Sequence, residues 1–269
     1  MQLPDRYRMG FFVSVGKGVL NLLEVLGAFV IFTVQTFRFI FARPFDGQAL
    51  FYQMNEIGVK SIPVGVVSSF FVGMVMALQL GGPMEKQIQG ISSYMGGGIS
   101  LAMVRELAPV LTAVLLAGRV GSSIAAEIGT MKVTEQIDAL STLATNPVHY
   151  LSVPRFLASF ISIPLITVMA ILVGIFGGAI ISKISLEIPF SVYFENAQQM
   201  VKVNDLLSGV GKTFFFGAEI ALISCFTGFR AKGGAEGVGQ ATIQAVVYSF
   251  MLIIISDYFI TYLFQLVGL

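Results

Sequence analysis

The sequence predicts an all-α, polytopic membrane protein, on three observations. Hydrophobic residues fill 55% of the 269 positions and charged residues only 12%, and the mean hydropathy is +0.84, outside the range of a soluble domain. Several apolar runs approach or exceed the roughly 20 residues that a helix needs to cross about 30 Å of hydrocarbon. Their periodicity is helical rather than alternating, which argues against an outer-membrane barrel. A formal net charge of +1 gives no footing for nucleic acid. The expected architecture is about five transmembrane helices, N-terminal interfacial or re-entrant helices, a polar cytoplasmic helix and a short external one. Residues 1–60 form the N-terminal region and 61–269 the transmembrane domain.

From the N-terminus, Arg6 and Arg8 precede an apolar stretch without a small-residue cleavage pattern, so no removable signal is expected. Residues 7–26 set Phe11, Val15, Leu22 and Val25 on one face, with Arg8, Lys17, Asn21 and Glu24 elsewhere, the pattern of a helix lying in the interface. Val25 to Ala42 is short and broken by Gln35 and Arg38, and reads as re-entrant or steeply tilted in preference to a true span. FYQMNEIG, Phe51 to Gly58, reads as a second short interfacial helix.

Five clearer spans follow at 61–82, 99–128, 155–182, 208–228 and 243–267. With the N-terminus inside, the loops at 129–154 and 229–242 are cytoplasmic and those at 83–98 and 183–207 external. The cytoplasmic set then holds Arg6, Arg8, Lys17, Arg38, Arg43, Lys60, Lys132, Arg155, Arg230 and Lys232, against Lys86, Lys183 and Lys202 outside, as the positive-inside rule requires. Pro83 and Gly96 to Gly98 punctuate the first external loop. SVYFENAQQMVKVNDLL in the second has the periodicity of a short helix. No tandem or inverted repeat is visible.

The span beginning near Ile99 carries the most information. Its roughly 30 residues would reach about 45 Å, so it must tilt, kink or protrude, and Pro109 offers the kink. Gly118, Ser122 and Ala126 form one small-residue ladder, and Gly121, Ala125 and Gly129 another. Such ladders let helices approach closely, within one chain or between two copies. Arg105 and Glu106 lie about 10 Å along the helix, in the outer half of the membrane, where an ionised group needs water or a partner. Pointing about 100° apart, they do not face one cavity squarely: at least one is expected to meet a polar ligand while the other pairs with a neighbouring helix, a purely structural pair being the alternative. Glu219 and Asp257 are also placed within spans, and Lys212 shares the face of Glu219.

GVGKT, Gly209 to Thr213, imitates the end of a phosphate-binding loop, but the motif needs glycine where Leu206 stands. No catalytic triad is present. The lone Cys225 reads as a small buried hydrophobe, and the lone His149 has no neighbour at metal-ligand spacing.

TEQIDAL, Thr134 to Leu140, is a polar, helix-forming cassette between two spans. Ile137, Leu140 and Leu143 can form an apolar stripe beside Glu135, Gln136 and Asp138. On spacing alone this suits equally a helix docked in a partner's groove and a solvated loop helix.

ELAPVLTAVLLAGRVGSSIAAEIGTMKVTEQIDALSTLATNPVHYLSVPR strongly resembles the MlaE (YrbE) family, the permease subunits of ABC transporters that work with MCE proteins. The likeness extends to GMVMALQ, to GIFGG at 174–178 and to AKGGAEGVGQAT. It implies a coupling helix within 131–145, seated in a separate cytoplasmic ATPase that binds the ATP and magnesium, with Thr134, Glu135, Gln136, Asp138, Ala139 and Leu140 at the contact. It implies a homodimer whose central cavity holds a phospholipid, contacted by Val75, Leu78, Gln79, Arg105 and Glu106. It further implies an inner-membrane location, in preference to a plastid inner envelope, exchange with an external MCE-domain protein and a part in outer-membrane lipid asymmetry. No cofactor or metal is expected on this chain. QLGGPMEKQIQG, Gln79 to Gly90, lacks the aromatic that some relatives place at the cavity mouth. The residues alone also admit a proton-coupled carrier using Glu106, Glu219 or Asp257.

Overall fold

The computed structural model describes residues 5–42, 46–87 and 94–267, and side chains from Gly16 onward except 43–45 and 82–93. Among the described residues every regular element is helical. Six helical runs are long and apolar enough to cross a membrane. The chain forms two compact units, Met1–Pro44 and Phe45–Leu269.

The first unit holds one helix, α1 (Asp5–Ile40). Where the sequence suggested an interfacial helix followed by a re-entrant segment, the helix is uninterrupted, and Gly16–Ile40 qualifies as a sixth span by length and composition. Nothing in the stretch breaks a helix: it has no proline, and the hydroxyls of Thr33 and Thr36 donate back to the carbonyls of Phe29 and Phe32. Arg38 sits in the last turn, where an arginine reaches the interface at low cost.

In the second unit α2 (Gly47–Gln53) is capped by Asp46, whose Oδ1 accepts from the Ala49 N–H. It does not stop at Gly58 as a separate interfacial helix would. A wide π-turn at Met54–Gly58 and a tight 3₁₀ turn at Val59–Ser61 carry it into α3 (Ile62–Gln87). Residues 83–87 thus extend α3 rather than opening a loop; 88–93 lie outside the described residues. Gly96 to Gly98 belong to a helix too, α4 (Met95–Ala102).

The long central run continues through a π-turn at Met103–Leu107, α5 (Ala108–Leu116), a second π-turn at Ala117–Gly121 and α6 (Ser122–Val133). The first π-turn ends just before Pro109, which has no N–H to offer the preceding turn, so the helix absorbs the proline by widening. The same pairing recurs where a π-turn at Val148–Ser152 precedes Pro154 in α8 (Val153–Leu186). Between these runs lies α7 (Gln136–Thr142). The external helix expected after 183 is α9 (Phe190–Met200), followed by α10 (Val203–Phe229) and α11 (Gly234–Val267). All five expected spans are present, each longer than its apolar core.

α3 packs along α8, α8 against α10, and α10 and α11 against α6. The α3–α8 crossing is as close as two backbones allow: a methyl on Gly73 would stand 1.8 Å from the Gly174 carbonyl oxygen. In a bilayer such contact, rather than expulsion of water, supplies the association energy. Of the two small-residue ladders, Gly121, Ala125 and Gly129 are buried within the chain, Gly121 against Ser224 and Gly129 against Ala231 and Val238, whereas Gly118, Ser122 and Ala126 stay half-buried, with Phe250 beside Gly118. A core of Ile99, Met103, Val104, Ala108, Ile171 and Tyr193 closes the end of the bundle that carries α9.

Candidate functional site

Two features stand out, one towards each end of the central run. At the α9 end, the π-turn at 103–107 presents Arg105 and Glu106 to α10. Arg105 Nε donates to Asp205 Oδ1 at 2.6 Å and a terminal nitrogen of the same guanidinium pairs with the same carboxylate. Asp205 is buried and is fixed in turn by the Lys202 backbone N–H, which donates to its Oδ2 at 2.8 Å. The Lys212 ammonium lies 2.7 Å from Glu106 Oε1 and 3.1 Å from Asp257 Oδ1, and donates to the Arg105 carbonyl at 3.2 Å. Thr261 on α11 donates to Glu106 at 3.4 Å.

Close contact makes this cluster possible. A methyl on Gly209 would stand 2.0 Å from the carbonyl oxygen of Val104, so the glycine lets α10 press on the π-turn. The phosphate-loop lookalike GVGKT therefore has a packing role in Gly209 and a charge in Lys212.

The Lys212 side chain is 2% exposed, whereas those of Arg105 and Glu106 are 46% and 43% exposed. Each partner neutralises an expensive intramembrane charge, yet both groups keep an open side. Both groups thus pair with a neighbouring helix and both stay accessible on their open side. Lys212 does not serve Glu219, which accepts from the Ser256 hydroxyl at 3.0 Å. Asp205 escaped the sequence reading because it lies at the polar start of a helix; a carboxylate three residues inside that start was the available signal.

Val75, Leu78 and Gln79 lie on the exposed side of α3, which packs chiefly on α8. Gln79 takes part in none of the bonds of the ionic cluster.

At the other end, α6 runs into α7 through Thr134 and Glu135. Glu135 has φ 60° and ψ 12°, left-handed backbone for a residue with a Cβ. That conformation costs on the order of 1–2 kcal/mol. Ala144 closes α7 with φ 57°, so α7 is a short helix between two left-handed residues. Ile137 is buried and anchors it, dividing the apolar stripe: Leu140 is half-buried and Leu143 exposed. Thr134, Glu135, Gln136, Asp138 and Ala139 are exposed. Asp138 pairs with Lys132 at 2.9 Å.

The described residues thus carry a polar, exposed helix at one end of the central run and a half-open ionic cluster towards the other. Among known proteins, the family model for the permease MlaE matches residues 50–263. The chain belongs to the MlaE permease family. A probable ABC transporter permease protein of Rickettsia bellii is 39% identical over 256 residues, covering 93% of this chain and 96% of its own length. One from Synechocystis is 41% identical over 231 residues, covering 86% and 87%. The chloroplastic protein TRIGALACTOSYLDIACYLGLYCEROL 1 of Arabidopsis thaliana is 39% identical over 212 residues, covering 79% of this chain and 60% of its own. This MlaE-family permease is thus a multi-pass membrane protein of ABC-transporter type, with a transport rather than a catalytic role.

Proposed function

We propose that this permease moves phospholipids, or closely related lipids, between the inner membrane and an external MCE-domain protein, and so sustains outer-membrane lipid asymmetry. Two copies form the pathway and a separate cytoplasmic ATPase supplies the energy. The observation that carries the reading is the ionic cluster held half-open in an otherwise apolar bundle. Charges on a lipid-facing wall are costly, but facing a cavity shared with a second copy they match a phosphate and an amine, while the apolar side of α3 with Val75 and Leu78 suits acyl chains. Gln79 adds a polar contact on the same face.

The α7 hairpin is the coupling element in this reading and places its end of the bundle in the cytoplasm. Strain retained at an exposed turn is often kept for a contact, and Glu135, Gln136, Asp138, Ala139 and Leu140, with Thr134 at the entry, offer a surface for a groove in the ATPase. ATP and magnesium bind there, not on this chain. A proton-coupled carrier is less favoured, since Glu106 and Asp257 share one buried lysine.

Native mass spectrometry of the tagged chain, gently extracted from its own membrane, tests the proposal. Two copies with two ATPase chains and bound phospholipid are expected, and Glu106→Gln should reduce the bound lipid more than the stability. An assembly that lacks the ATPase while the ATPase is expressed would overturn it.

A further inference from the structure

The second π-turn of the central run carries an arginine that the proposed function leaves without a task. Arg119 lies fourteen positions beyond Arg105, roughly 21 Å along the same run, towards the α7 end. One of its terminal nitrogens donates to the Ser61 hydroxyl and to the Glu56 carbonyl at 3.4 Å. No carboxylate pairs with it among the described residues, and it lines a cleft of about 380 Å³ together with Tyr52, Gln53, Glu56, Ser123 and Glu127. That volume is within the usual range of ligand sites.

Both carboxylates that line the cleft, Glu56 and Glu127, are matched by cations outside its lining. Glu56 is paired with Lys60, and Glu127 Oε1 with Arg155 at 2.7 Å, leaving Arg119 alone. Arg155 is 3% exposed and its Nε has no acceptor. It lines a cavity of about 450 Å³ that shares Tyr52, Gln53 and Glu127 with the first. A guanidinium with free donors selects an oxyanion, and phosphate above all. Glu127 is 52% exposed and uses only one oxygen on Arg155, so the cleft also offers an acceptor to an ammonium group.

The surroundings favour a lipid as the source of that phosphate. The helical segment bounding the cleft, residues 51–62, lines on another face a groove formed by Met54, Val59, Ile62, Leu165 and Met169 with almost no polar surface. A segment polar on one face and apolar on the other suits the depth where headgroups meet acyl chains.

We propose that the Arg119 cleft is a second phospholipid site, separate from the Arg105–Glu106 cluster. It takes the phosphodiester of a lipid in the leaflet on the α7 side, with preference for an amine-bearing headgroup. The inference rests on the reading of the protein as a lipid permease and adds a place where the lipid waits before or after passing the first cluster.

The test replaces Ser123 with the photoreactive p-benzoylphenylalanine in cells expressing the complete transporter, and identifies adducts by mass after irradiation. A diacyl phospholipid adduct enriched in amine-bearing species is expected. It should fall at least roughly tenfold in Arg119→Gln, the loss of a charge-assisted hydrogen bond, and less in Arg119→Lys. It should persist in Glu106→Gln. An absent adduct, or one indifferent to both Arg119 variants, overturns the site. Suppression of labelling by millimolar inorganic phosphate, with no lipid attached, overturns the lipid source and marks a site for soluble phosphate. Should Arg119→Gln fail to accumulate, Arg119→Lys alone decides, because it retains the charge and loses the fork. An intact, Arg119-dependent adduct with no ATP-driven lipid movement would sink the transport reading and leave this site standing.

Discussion

Lys212→Met is the sharpest test of the ionic cluster. The ammonium is buried between two carboxylates and the Arg105 carbonyl, and methionine keeps most of its volume, so the change is electrostatic rather than a cavity. The oxygens of Glu106 and Asp257 lie 2.7 and 3.1 Å from one nitrogen, which puts them no more than about 6 Å apart. At an effective dielectric of about 20, two unit charges at about 6 Å repel by about 3 kcal/mol, comparable with measured losses when one partner of a buried pair is removed. Unfolding of the purified permease by denaturant in mild detergent should therefore show a loss of about 3 kcal/mol. Adding Asp257→Asn should recover most of it, because Glu106, 43% exposed, then has water and no like-charged neighbour. If the single and double variants lose the same amount, or the single variant loses less than about 0.5 kcal/mol, Lys212 is not the counter-charge and the cluster is misread.

Three further outcomes are expected. Gly73→Ala sets a methyl 1.8 Å from the Gly174 oxygen and should cost about 1–3 kcal/mol of overpacking; Gly98→Ala, with nothing within 4 Å, should be neutral or stabilising by up to about 1 kcal/mol, both read from denaturant midpoints. Glu135→Gly relieves the left-handed strain and should raise stability by up to about 1 kcal/mol while weakening ATPase stimulation in the assembled transporter; undiminished stimulation would show that its side chain makes no coupling contact. Glu135→Lys with Asp138→Lys breaks only an exposed pair, worth under about 1 kcal/mol, so the membrane fold should survive on gel filtration while co-purification of the ATPase falls.

The sequence by itself determined what depends on local chemistry. Apolar run length gives the class and the five principal spans, and the polar cassette at 134–140 marks α7 because charge and helix propensity are both read residue by residue. Arg105 and Glu106 were visible as charges inside an apolar run. The tertiary structure alone decided where those charges go. Asp205 lies 100 positions from Arg105 and Lys212 106 from Glu106, and such pairings depend on how helices rotate and cross, which hydropathy does not encode. A face drawn at 3.6 residues per turn from Lys212 reaches Glu219 along α10 itself and cannot show Asp257, which comes from α11. The continuity of α1 and the joining of α2 to α3 were hidden for a related reason: one polar residue in an apolar run lowers the hydropathy without breaking a helix whose backbone bonds all close within the segment.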